Sequence, residues 1–367
     1  MIKDGWKGNF YLYLSEFLNN KEWETMNVNR KEYIIDRMYK ASTGIANAVL
    51  VTLGIGLLFE SIGGYFDWQM FLTIGGAAKV LLAPALGAGI AYQLGGNSLV
   101  IFSAMACSSV GGAAIQKTAE GAFTIVTGQP ISAVLAAIIA TYVGKRMVGK
   151  TRLDIMAIPL AAIFVGGISG VGLAAVTTPL LTWISAQITS SVQGSPLIGS
   201  IVLSLVFSLL LMTPASSAAL AIALQLDPVS SAAALIGCTV QFVAFTAMSY
   251  KDNDFGGFLA QSIVTPKVQF PNLIKNPIYI IPAFTAAAIA APIATMVFDF
   301  KVPYELGGMG LSSLIAPINI LANQGWGVFL VYVAIGMVLP VLIAVSIHRL
   351  LKMAGKVHPG DLKLEVQ

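Results

Sequence analysis

Charge is what this chain has least of. Only 10% of its residues are charged, against 56% hydrophobic, and the mean hydropathy is +0.81. Water cannot hold such a surface in solution, which excludes a soluble globular fold. From Ile155 to Leu226 there is no Asp, Glu, Lys or Arg at all. Cysteine is nearly absent too. Cys107 and Cys238 both sit inside apolar runs, which excludes a disulfide framework and leaves no metal-ligand spacing. The two histidines, His348 and His358, fall at the C-terminal end, so none is expected deep in the membrane as a proton relay. No phosphate-cradling P-loop, HExxH, nucleophile elbow or CxxC occurs. An enzyme, a metal centre and a resident cofactor are therefore not expected, and the scattered basic residues require no nucleic acid.

What the chain has is long apolar runs. A bilayer core of about 30 Å takes roughly 20 apolar residues per helix, and the runs here are continuous rather than alternating, which favours helices over a β-barrel. The expected fold class is all-α: a polytopic transmembrane protein of about 8–10 spans with re-entrant or broken helices. Runs lie near 42–63, 69–93, 98–115, 122–143, 155–190, 197–225, 229–249, 277–298, 308–323 and 326–348. Lys and Arg collect before Ala41, between Lys145 and Arg152, between Lys251 and Lys275, and after Ile347. The positive-inside rule puts those regions, and both termini, in the cytoplasm. The first 40 residues are too polar for a secretory signal; Tyr33, Ile34, Met38 and Tyr39 recur at helical spacing, as in a surface helix leading into the membrane. This divides the chain into an interfacial segment 1–40, a transmembrane domain 41–350 and a cytoplasmic tail 351–367.

Both long apolar regions after residue 155 begin and end at cytoplasmic basic clusters, so each needs an even number of crossings. Counting runs by eye leaves each with an odd one. The run near 308–323, short and rich in Gly, Ser and Pro, is expected to be re-entrant or split. In the earlier region the break is expected at Met212-Thr213-Pro214-Ala215-Ser216-Ser217, where Pro214 frees a carbonyl. Non-helical backbone at membrane depth is tolerated where protein or a water-filled cavity satisfies it, so such breaks point to a solute path. Leu94–Leu99 and Leu306–Leu311 share a Leu-Gly-Gly echo.

Polar residues inside the apolar runs are the candidate ligands. Neutral ones suit hydroxylated solutes: Asn97 with Ser98, Thr213 with Ser216 and Ser217, Gln241, and Ser312 and Ser313 with Asn319 and Asn323. Small hydroxyl residues also simply pack helices together. Among charges, each costly in lipid, Lys117 and Glu120 stand three apart, a spacing at which they pair on a helix; they either close a loop or line the path. Lys79 either snorkels or is buried for a purpose. Glu60 and Asp67 read as interfacial, Asp299 and Lys301 as wetted, and Glu305 as pointing inward.

The stretch Thr151-Arg152-Leu153-Asp154-Ile155-Met156-Ala157-Ile158-Pro159-Leu160, then Gly166-Gly167 and Thr177-Thr178-Pro179-Leu180, resembles the enzyme IIC membrane subunits of sugar phosphotransferase systems. Lys275-Asn276-Pro277-Ile278-Tyr279-Ile280-Ile281-Pro282 looks like the start of a later span in the same superfamily. The pattern is most similar to an enzyme IIC-like group that includes a regulator of the perfringolysin O toxin. The resemblance implies a homodimeric permease of a bacterial plasma membrane, with a scaffold part and a mobile part carrying re-entrant hairpins. It also implies an intramembrane Glu that hydrogen-bonds a sugar. Glu305, in Pro303-Tyr304-Glu305-Leu306-Gly307-Gly308, comes nearest, without the family's usual Gly-Ile-x-Glu-Pro wording. No phosphoryl-carrying domain is expected in this chain, so separate IIA or IIB proteins would have to supply the phosphoryl group. The alternative is a sensor that keeps the fold and binds without transporting.

Overall fold

In a computed structural model, which describes residues 20–117, 122–213 and 216–364, the chain is built of helices with one small hairpin. It runs through α1 (Asn20–Val49), a π-turn at Leu50–Gly54, α2 (Ile55–Phe66), α3 (Gln69–Val80), α4 (Leu82–Gln93) and α5 (Ser98–Gly111). Strands β1 (Ile115–Lys117) and β2 (Phe123–Ile125) pair antiparallel, and α6 (Pro130–Met147) and α7 (Asp154–Gly194) follow. After them come α8 (Pro196–Met212), α9 (Ser217–Leu224), α10 (Pro228–Met248), α11 (Phe255–Leu259) and α12 (Phe270–Lys275). The last helices are α13 (Ile280–Pro292), α14 (Ile315–Val333) and α15 (Leu339–Met353). Among the described residues, six helical stretches are long and apolar enough to cross a membrane, or seven counting the α3–α4 pair, which bends by 57°. The expected count is higher because α5 and α8 are apolar but short, and because Ser312–Met353 passes as one stretch across an internal break.

Side-chain oxygens at the starts of several helices take over N–H groups that a first turn leaves free. Asn97 accepts from Val100 N at 3.0 Å to open α5, Gln129 from Ser132 N at 2.7 Å to open α6, and Asp227 from Val229 N at 3.0 Å to open α10. Pro130 and Pro228 follow two of these caps at the first helical position, where the missing N–H costs nothing.

Two bundles result. α1 packs on α4, α4 on α5 and α6, and α5 and α6 on α7, around a core of small residues such as Ala104, Cys107, Ala136 and Ala140. In the second bundle α8 and α13 flank α10, and α15 packs on α10 and α13. Of the most apolar window of α10, 89% is buried, against 22% for α7, so α10 is the axis of its bundle and α7 presents its flank to lipid. At 1.5 Å per residue, the 41 residues of α7 span about 61 Å, roughly twice the bilayer core. It must tilt or project beyond the membrane.

Both interruptions are present, and at each the chain doubles back. α8 ends at Met212, and the short α9 returns to Gln225, in the left-handed region at φ 46°, beside Asp227. Asp227 accepts from Thr189 Oγ1 near the far end of α7, so the element enters and leaves at one level. Pro214 lies outside the described residues. In the other half, Val302 N donates to Pro228 O, the chain descends to Ser312, whose Oγ donates to Val264 O, and α14 climbs back. There Gln324 Nε2 donates to Lys301 O, after which Gly325, at φ 80° and ψ 179°, breaks the helix. Only glycine adopts that backbone readily. The Leu-Gly-Gly echo has no structural counterpart: at 94–99 it leads into the cap of α5, whereas at 306–311 it forms the descending limb.

His348 is an exception to the expectation of tail histidines, since it lies inside α15. The segment beyond α15 folds back onto the 251–279 region. Leu362 and Val357 are buried, Asn253 Nδ2 and Gln269 Nε2 both donate to Leu362 O at 3.0 and 2.9 Å, and the Tyr279 hydroxyl donates to Asp361 at 2.8 Å. Leu362→Ala is therefore expected to destabilise by about 2–5 kcal/mol. This reads out as a lower Tm of the detergent-solubilised protein, with Met353→Ala, at a fully exposed position, as the silent control.

Candidate functional site

A cavity of about 870 Å³ lies between the first bundle and the two elements that double back. Its walls come from the α5–α6 connection, from the C-terminal half of α7, from the end of α9 and from the Tyr304–Leu306 turn. Glu305 stands on that turn. Its Oε2 is buried and has no hydrogen-bond partner within the protein. A buried carboxylate oxygen without a donor is costly, so the site is completed by water or by a ligand that donates. Gln129, on another wall, has its Oε1 committed to Ser132 N and Oγ, at 2.7 and 2.6 Å, and this fixes its amide with Nε2 buried and unpartnered. The cavity thus offers an acceptor and a donor, both unsatisfied, which is the pairing that a hydroxyl group meets.

The third component is a stripe of hydroxyls on α7. Thr178, Thr182, Ser185 and Thr189 all line the cavity, at steps of four, three and four residues that place them on one helix face. Lys79 contributes a charge at the margin, held by Glu60 at 2.8 Å. Glu60 is therefore an ion-pair partner rather than an isolated interfacial carboxylate.

Of the sequence candidates, Glu305 reaches this cavity. Ser216, Ser217 and Ser312 line a second one, of about 240 Å³. Ser216 caps α9 by accepting from Ala219 N at 3.2 Å, and Ser217 Oγ donates to Gly308 O at 2.8 Å, joining the tips of the two re-entrant elements. Thr213 donates to Leu210 O beside that break. The remaining candidates sit elsewhere. Asn97 and Ser98 open α5 at the end where the Leu94 carbonyl receives Lys145 Nζ and, at 3.2 Å, Arg37. Asn319 Nδ2 donates to Ser61 Oγ at 2.9 Å and ties α14 to α2. Gln241 is fully buried in α10, with neither amide atom hydrogen-bonded, and lines neither cavity. Lys117 lies in β1 rather than on a helix and lines neither cavity, and its candidate partner Glu120 falls outside the described residues. The physical reason is that Gly112 ends α5 and Ala113 takes a positive φ of 49°, turning the chain into a hairpin. Its neighbour Gln116 is the residue that lines the cavity.

Gln129, Gln225 and the α7 stripe were missed. The stripe was visible as hydroxyls at helical steps inside an uncharged run, and Gln129 as a polar residue directly before a helix-opening proline.

No curated protein matches the chain. The family described as Phosphotransferase system, EIIC, matches residues 39–364, nearly the whole of the region built of these two bundles. With that match over most of its length, the chain belongs to the EIIC family, the membrane transport component of the sugar phosphotransferase system.

Proposed function

We propose that this chain is a permease for a small sugar-like solute, which it holds against Glu305 and passes across the membrane by alternating access, with phosphoryl groups coming from separate IIA or IIB proteins. The observation that carries the reading is the unpartnered, buried Oε2 of Glu305 in a cavity walled by the α7 hydroxyls. A sugar hydroxyl donates to such an oxygen, while Gln129 Nε2 donates to a neighbouring sugar oxygen. The contact between Ser217 and Gly308 joins the tips of the two re-entrant elements beside the smaller cavity. In this reading it is the gate that must part for the solute to continue.

By the positive-inside rule the end carrying Lys145–Arg152 and the docked C-terminal segment is cytoplasmic. The large cavity then faces outward, since Thr189 and Asp227 lie toward the opposite end of α7. Lys150→Cys is expected to react with a membrane-impermeant maleimide only from the cytoplasmic face, and Lys301→Cys only from the outside. Reversed labelling would invert the proposed direction.

The function itself is tested with purified full-length protein and a panel of monosaccharides and polyols, screened by thermal shift. A hit is then followed as uptake into liposomes. Saturable uptake supports the permease; saturable binding without flux would identify a sensor, and no binding by any hydroxylated solute would remove the reading.

A further inference from the structure

The cavity that holds Glu305 is short of positive charge. Among the described residues that line it, Lys79 is the one cation, and Glu60 at 2.8 Å already matches it. Glu305 has no such match: the neighbouring Tyr304 hydroxyl interacts with its carboxylate, but a hydroxyl carries no charge. Lys301, four residues earlier, is held by Asp299 at 2.8 Å. Asp227 adds a further carboxylate, bonded at 3.0 Å to Thr189 of the cavity wall. Three carboxylates, at Glu60, Asp227 and Glu305, therefore stand against the single ammonium of Lys79. The C-terminal turn of α9, Ile222 to Leu224, forms part of the same wall, and a helix end with carbonyls left over also favours a cation.

Hydrogen bonding is biased in the same direction. Thr182 donates its proton to Thr178 O and Thr189 donates its own to Asp227, both at 3.0 Å, which leaves their oxygens as acceptors. Glu305 Oε2 is an acceptor as well, against the single unpartnered donor at Gln129 Nε2. A hydroxyl brings one donor and two acceptors, whereas an ammonium brings three donors and no acceptor. The ammonium thus answers both the excess of negative charge and the excess of acceptors, and its hydrogen bond to a carboxylate is charge-assisted.

We infer that the cavity selects an amino sugar: a polyhydroxylated solute whose protonated primary amine seats on Glu305, with its ring hydroxyls against the α7 stripe and Gln129. The inference rests on the reading of this cavity as the solute site, and it narrows the substrate class from sugars in general to cationic ones.

The probes are glucosamine, galactosamine and mannosamine. Each is set beside the parent sugar, which has a hydroxyl in place of the amine, and beside its N-acetyl derivative, which keeps the nitrogen but not the charge. Binding to the full-length protein in phosphatidylcholine nanodiscs is measured by calorimetric titration at about pH 6, below the range in which such amines lose their proton. In at least one of the three configurations the free amine is expected to bind at least about tenfold more tightly than both neutral counterparts. Glu305→Gln is expected to bring that preference to parity. If Glu305→Gln does not fold, the unaltered protein still decides, because the preference should fade as the pH is raised through about 8 and the solute amine deprotonates. A parent or N-acetyl sugar bound as tightly as its amine in every configuration, or an amine preference that survives Glu305→Gln, would overturn the inference and leave the cavity standing as a site for neutral sugars. No binding by any of these sugars would remove both.

Discussion

Glu305→Gln is expected to lower solute affinity by about 10- to 100-fold while leaving the thermal stability of the empty protein within a degree or two. The substitution keeps size and shape and removes the negative charge. A hydrogen bond to a charged group contributes about 1.5–3 kcal/mol, and each ~1.4 kcal/mol is a factor of ten. Because Oε2 of Glu305 has no hydrogen-bond partner within the protein, no hydrogen bond to that oxygen is lost with the charge. Relief of an uncompensated buried carboxylate would even favour the empty variant slightly. The measurement is a titration of both proteins with the solute found by thermal shift, and an unchanged binding curve would remove Glu305 from the site. Asn97→Ala is expected to behave in the opposite way. It removes the cap of α5 and costs about 1 kcal/mol of stability, without touching affinity.

The second large effect is expected at Gly308. A Cβ built there would lie 2.3 Å from the Ser217 carbonyl carbon and oxygen and 2.5 Å from Ala218 N, all backbone atoms that cannot rotate away. Gly308→Ala therefore has to separate the two re-entrant tips, and separating them breaks the donation from Ser217 Oγ to Gly308 O. If this contact is the closed gate, the variant connects the two cavities. Liposomes carrying it are expected to leak the solute without saturation, where the unaltered protein shows saturable uptake. Gly167→Ala, whose added Cβ meets nothing within 4 Å, is the matched control and should transport normally. Saturable, wild-type uptake by Gly308→Ala would mean that the tips are not the barrier.

How far this could be read before the fold was known differs by feature. Membrane class follows from hydropathy alone, since no soluble surface accommodates a stretch like Ile155–Leu226. The interruptions at 212–217 and in the run near 308–323 were marked by their Pro, Gly and Ser content, because those residues weaken or end helices locally. That the two breaks meet was not legible. Ser217 and Gly308 are 91 residues apart, and nothing in either segment names the other. Asn97 misled for a chemical reason: an amide serves equally well to cap a helix and to bind a sugar, and only its position at the start of α5 decides between them. The three-residue spacing of Lys117 and Glu120 suits a helix, while the turn at Gly112 and Ala113 sets Ile115–Lys117 extended. The α7 stripe was hidden by the opposite error, its hydroxyls passing for packing residues in a helix that faces lipid on its other side. The docking of the C-terminal segment depends on Asn253, Gln269 and Tyr279 from a region distant in sequence, so the tail alone carried no sign of it.

The proposed permease holds its solute between Glu305 and the hydroxyl face of α7. Thr182 is exposed on that face, and Cys107 and Cys238 are buried, so Thr182→Cys offers a single reactive thiol to an impermeant maleimide. Saturating solute is predicted to suppress labelling of Thr182→Cys and to leave labelling of Asn97→Cys unchanged. Full labelling at 182 with the solute bound, and suppression at 97 instead, would contradict it.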